Sequence, residues 1–276
     1  MSRLLTSHDV QDQQNGRMWA SLEYENLLMA LNLALEAQTS IQGPYLALTF
    51  FLTSIQDHRR GLELDQAILK QLESYSPEKL SDRLKAEIGM VLLEIANRQV
   101  WLKQFEEAES NCLKSLSFWH DTKFYDAETI RKLRASTYDT LGATSVERRQ
   151  WEKAEGYFQQ ALQLKADDRY EQARTYFNLG MATAEQKHFQ EAERYYQLAL
   201  QIKKEFNDRK TQARIYSKLA SLAEERQQWP QAIRHYQQAL KLDIEFNDRN
   251  AQAITYRNCN CPGPLGTCQT VSNPVK

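Results

Sequence analysis

Three stretches decide the reading of this chain: WEKAEGYFQQAL at 151–162, FQEAERYYQLAL at 189–200 and WPQAIRHYQQAL at 229–240, preceded in turn by TYDTLGA, TYFNLGM and IYSKLAS. Ala154, Ala192 and Ala232 step by 38 and 40 residues, and Tyr138, Tyr176, Tyr216 and Tyr256 by 38, 40 and 40. Self-similarity at such a period means stacked copies of one supersecondary unit. A weaker copy lies upstream as FEEAESNCLKSL at 105–116, preceded by Leu92, Ile95 and Ala96.

Each copy predicts two amphipathic helices. In the third, Tyr176, Leu179, Gly180 and Thr183 share one face and Ala192, Tyr196, Ala199 and Leu200 another, at spacings close to i, i+3, i+4 and i+7. The links QKHFQ and QQWPQ are too short for anything but an antiparallel hairpin. Pro230 falls in a first helical turn, where a missing N–H costs nothing. Small residues at Gly142, Gly180, Ala154, Ala192 and Ala232 let helix backbones approach, and Trp151, Phe189 and Trp229 are expected to plug the hairpin ends. In KKEFNDR (203–209) and DIEFNDR (243–249), Asp208 and Asp248 are expected helix N-caps, with the Phe of each segment as a hydrophobic staple.

The order aromatic, Leu-Gly or Leu-Ala, aromatic, Ala, aromatic, Ala resembles the tetratricopeptide repeat. Trp151, Ala154, Phe158 and Ala161 with Tyr138, Leu141 and Gly142 fit one register of that family. The copies depart from it at Ser145, Thr183 and Ala223, where an aromatic is usual, and the period is longer than the family's usual length of about 34 residues. The resemblance implies an all-α fold of helix hairpins stacked in a right-handed superhelix. Its repeats fall at about 84–118, 134–168, 172–208 and 212–248, with a fifth beginning at Tyr256.

Residues 1–16 are expected to be disordered and 17–80 to form a helical region with a degenerate repeat, in which Tyr45, Leu48, Gly61 and Ile68 keep the spacing but Asp65 stands where an aromatic belongs. Trp19, Leu22, Glu23, Asn26, Leu27, Ala30, Leu31 and Ala34 resemble the helix that opens the C-terminal repeat region of bacterial signalling ATPases. The chain holds no G-x-x-x-x-G-K-[ST] phosphate loop, so that resemblance implies a sensor portion without the ATPase. Pro262 halts the fifth repeat mid-helix. The segment 257–276 is expected to be a flexible tail, and the array end at Tyr236, Ala239 and Leu240 to be sticky enough for self-association.

Only 9 Gly and 6 Pro occur among 276 residues, as an all-helical chain requires. Lys+Arg (35) and Asp+Glu (36) nearly cancel, leaving no long-range field to hold nucleic acid or an anionic membrane. The longest uncharged apolar run, YLALTFFL from Tyr45, is far short of the ~20 residues that span a bilayer. The start has no signal-peptide core, and the reading is a cytoplasmic protein. Cys259, Cys261 and Cys268 offer three thiolates with no fourth ligand nearby, so neither metal nor cofactor is expected. No Ser-His-Asp, Cys-His or paired-carboxylate arrangement emerges, and no catalytic residue is assigned.

What the family offers instead is a binding surface lined by the first helix of each repeat. The family's groove positions carry over to Met90, Leu93, Asn97, Val100 and Trp101, of which Met90, Leu93, Val100 and Trp101 are as readily read as packing against the N-terminal helices, then to Ser136, Asp139, Ala143, Val146 and Glu147. In the later copies they fall on Arg174, Phe177, Asn178, Met181, Ala184 and Glu185, and on Arg214, Ser217, Ser221, Glu224 and Glu225. The partner expected is a protein or peptide with apolar anchors and a basic end. A free-standing scaffold, a sensor segment of a signalling ATPase and a small-peptide receptor all fit. The Lys, Asn and Arg set by which some family members clamp a terminal carboxylate is only partly echoed by Asn178, Arg214 and Lys218, and no such clamp is expected.

Overall fold

The computed structural model describes residues 10–75, 81–166, 168–246, 252 and 255. Among them are eleven helices and no strand: α1 (Val10–Glu36), α2 (Gln42–Ser54), α3 (His58–Glu73), α4 (Asp82–Trp101), α5 (Phe105–Asp121), α6 (Ala127–Glu147), α7 (Trp151–Leu164), α8 (Arg169–Glu185), α9 (Phe189–Glu205), α10 (Arg209–Glu225) and α11 (Trp229–Glu245). They group into two compact units, residues 1–148 and 149–276. The expected tail, its cysteines and Asp248 lie outside the described residues, as does Tyr256.

In the first unit each helix packs on the next, and α4 also packs on α6. α4 is therefore buried on most of its circumference, from Leu84 to Gln99. Met90 and Leu93, which the repeat pattern places on a groove, are core residues here. Asp65 explains the break in the repeat. It is 0% exposed, accepts from the Tyr45 hydroxyl at 3.1 Å and from Arg98 Nε at 2.7 Å, and Arg98 is itself only 2% exposed. The volume an aromatic would fill is taken by this charged cluster. Gly61 follows from it, because a Cβ there would lie 2.1 Å from Arg98 Nη1. The N-terminus of α2 is capped from a distance. Its N-cap, Ile41, has no side-chain acceptor, and buried Glu87 of α4 takes the Ile41 N–H at 3.1 Å and the Ser40 hydroxyl at 2.6 Å.

In the second unit, neighbours in sequence pack as α7 with α8, α8 with α9, α9 with α10 and α10 with α11. Ala192, Ala199, Ala232 and Ala239 are buried with Tyr196 and Tyr236, as the spacing predicts. Gly180 faces the Tyr196 ring so closely that a Cβ would stand 2.7 Å from Cδ1. The hairpin links turn through left-handed residues, Lys187 (φ 61°) and Gln227 (φ 57°). Asp168 and Asp208 cap α8 and α10 by accepting from the Glu171 and Thr211 N–H groups, each at 3.1 Å. The expected Phe206 staple does not form: Phe206 is 52% exposed and sits edge-on to Tyr170. A staple needs the residue just before the N-cap, and that place belongs to Asn207.

A second set of ties recurs at the repeat period. Gln172, Gln212 and Gln252 donate to the carbonyls of Lys165, Lys203 and Asp243 at 2.8, 2.9 and 3.0 Å, joining the start of one hairpin to the end of the one before. Arg169 pairs with Glu205 and Arg209 with Glu245, closing the open ends of two hairpins.

Candidate functional site

The first helices α8 and α10 of the second unit present parallel rows of side chains to one cleft, because residues one turn apart on each helix share a face. The cleft has a volume of ≈ 710 Å³. Its apolar floor is Phe177 with Met181 and Ala173, and its polar rim includes Arg174 and Asn178 from α8 and Arg214, Ser217 and Lys218 from α10. Phe177 is held against Tyr196, ring centroids 5.8 Å apart, so the floor is anchored in the hairpin core. The Arg214 guanidinium lies over the same Phe177 ring, 5.6 Å from its centroid.

One end of the cleft is a fixed polar lattice. Lys203, buried near the end of α9, has its ammonium 3.2 Å from the Tyr170 ring centroid and 3.3 Å from the Asp208 carboxylate. Tyr170 donates to Asp208 at 2.9 Å, and that hydrogen bond, with a smaller effect of burial, raises the phenol above its usual range. Burial pushes the Asp208 carboxyl up, but the hydrogen bonds from Thr211, Tyr170 and Lys203 outweigh it and hold the group below the ordinary aspartate range. Asp208 is thus at once the cap of α10 and the counter-charge of the cleft's buried lysine.

The expected site residues separate into three sets. Arg174, Phe177, Asn178, Met181 and Arg214 come together in the cleft. Glu185, Glu224 and Glu225 lie toward the C-terminal ends of their helices and are not among its lining, and Glu224 instead accepts from Tyr236 at 2.9 Å. In the first unit, Asn97 accepts from the Thr140 hydroxyl at 2.8 Å, Glu147 is exposed, and Trp101 is 71% exposed and stacked on His58, centroids 5.0 Å apart. Sequence reasoning missed Tyr170, Lys203 and Asp243 in the cleft wall. For Lys203 and Asp243 the signal was present, since Lys165, Lys203 and Asp243 occupy one buried repeat position with steps of 38 and 40.

Among the described residues no cluster of three or more potential metal ligands occurs, and no helix is long and apolar enough to cross a membrane.

Hairpins of this geometry, with small residues at the crossings and a cleft on the first helices, define a helical repeat protein, and models of the tetratricopeptide repeat match residues 133–205 and 215–249. Residues 133–205 and 215–249 are thus tetratricopeptide repeats. No curated protein matches it. Solved structures share the fold at low identity. The chain is similar to a Rap protein complexed with Competence and Sporulation Factor (14% identity, TM-score 0.64, covering 92% of this chain and 77% of that one). It is also similar to the apo form of RapI (14%, 0.63, 76% and 73%) and to BtubC from P. vanneervenii (16%, 0.57, 95% and 98%).

Proposed function

We propose that this chain is a non-catalytic scaffold that binds a peptide segment, free or part of a larger protein, in the cleft of its second unit. The observation that carries this reading is an open cleft with an apolar floor, Phe177 and Met181, inside a polar rim. Burial of an apolar ligand side chain on that floor contributes about 1.5–3 kcal/mol. Asn178, half-buried and with no partner among the described residues, is placed to bond a ligand's backbone. The fold shared with the Rap protein complexed with Competence and Sporulation Factor is in keeping with a ligand-binding role.

The test is selection of binders from a phage-displayed random peptide library, followed by affinity measurement with the selected peptides in solution. Phe177→Ala combined with Met181→Ala is expected to abolish binding. Because Phe177 is part of the core, a second variant, Ser217→Trp, blocks the cleft without removing core atoms, and its melting curve should match the parent's. Full binding by Ser217→Trp would show that the cleft is not the site.

A further inference from the structure

The charge on the cleft wall specifies the ligand further, and this step rests on the peptide-binding reading above. Four cations and two carboxylates line the cleft. Both carboxylates are engaged within the protein. Asp243 is buried and accepts from the Thr255 hydroxyl at 3.2 Å, and Glu171 lies 3.5 Å from Arg174. Lys203 is committed to Asp208 and the Tyr170 ring. What is left is Arg214 and Lys218, four residues apart on α10 and both exposed, with no carboxylate partner among the described residues. Like charges at that spacing repel and do nothing for the helix. Their position beside the apolar floor gives them a use, since Arg214 already lies over Phe177 with its donors free for an anion.

We infer that the peptide taken by this cleft carries an aspartate or glutamate side chain beside an apolar one, its carboxylate between Arg214 and Lys218 and its apolar side chain on Phe177 and Met181. This reverses the basic-ended ligand expected from the sequence. That expectation counted Glu185, Glu224 and Glu225 as groove residues, and none of the three is part of the cleft lining. The anion is a side-chain carboxylate within the peptide, so a free C-terminus is not required.

The experiment uses a peptide selected by the intact chain and resynthesised in three forms: as selected, with its acidic residue changed to the amide, and with an amidated C-terminus. Loss of the acid is expected to weaken binding roughly tenfold or more, the range of a charge-assisted hydrogen bond. Added salt should weaken the acidic form and barely affect the amide form. C-terminal amidation should change nothing. Arg214→Glu with Lys218→Glu, both exposed positions, should select peptides rich in Lys and Arg instead. Peptides blocked by Ser217→Trp but showing no acidic preference, or lost on C-terminal amidation, would overturn the inference while leaving the cleft as the binding surface. Peptides indifferent to Ser217→Trp, or no selectable peptide at all, would overturn the cleft reading and the inference together.

Discussion

The two units are built from the same kind of helix pair and are held by opposite means. In the first, the decisive contacts join distant positions: Arg98 to Asp65, and Glu87 to Ser40 and Ile41. Each uses a buried charged side chain and is made once. In the second, the contacts repeat from one hairpin to the next: glycine or alanine at the crossings, an aspartate cap, a glutamine on the preceding carbonyl, and the paired Arg169–Glu205 and Arg209–Glu245. A buried charge is costly without its partner, so it strongly constrains which residues can meet. Contacts repeated at the crossings and hairpin ends leave the exposed faces of the first helices free to vary, and the cleft lies there.

The sharpest way to break this contrast is to remove one member of the buried pair. Asp65→Ala should destabilise the first unit by about 3–5 kcal/mol, because Arg98 is left buried without its hydrogen-bonded counter-charge. Asp65→Leu with Arg98→Leu should recover most of that. Peptide-resolved hydrogen exchange is the measurement, and it should show protection lost up to residue 148 and kept in α8 to α11. Equal loss in both units would show that they do not differ in this way. In the second unit Gly180→Ala should cost about 1–3 kcal/mol, because the Tyr196 ring must move. Gly156→Ala, where nothing lies within 4 Å of the added Cβ, should stabilise by up to about 1 kcal/mol. Thermal melts of the two variants should therefore shift in opposite directions.

The smallest effect is a difference in response to pH. Burial pushes Asp65 up to about 6 and also raises Glu87 and Glu94. These groups bind protons more tightly when folded. Their contribution is lost as pH rises through the folded value and is fully present only below the unfolded value of about 3.9 to 4.3. His58 in the first unit and His235 in the second are both lowered, chiefly by burial, so each opposes folding as pH falls below about 6.5. Between pH 7 and pH 5 the first unit should therefore gain exchange protection relative to the second. A parallel response of the two would remove the buried carboxylates as the cause.

The hairpins were legible because tyrosine, alanine and glycine recur at fixed steps, and the cleft residues of α8 and α10 were legible because those helices keep one face open. The same positions on α4 left groove and core equally open in the sequence, and since a helix packed against α3, α5 and α6 has little open face, Met90 and Leu93 went into the core. Helical spacing also gives a residue's face but not which neighbouring group meets it at that level. Glu224 was read as a groove residue and bonds Tyr236 instead. The Asp65 and Arg98 pair, 33 residues apart, showed in the sequence only as Asp65 standing where an aromatic belongs, with nothing to name its partner.

The glutamine ties at Gln172, Gln212 and Gln252 make the second unit divisible into interchangeable lengths. Each junction is closed by a side-chain amide on a main-chain carbonyl, an acceptor that every residue supplies, so the joint is indifferent to what the preceding helix end is made of. Lysine stands there twice and aspartate once without altering the bond. Excision of residues 172–211 would bring Gln212 to the carbonyl of Lys165 in the place Gln172 now holds. Duplication or loss of a whole period by unequal recombination therefore rejoins like to like, and the row of first helices can change length while its seams stay the same.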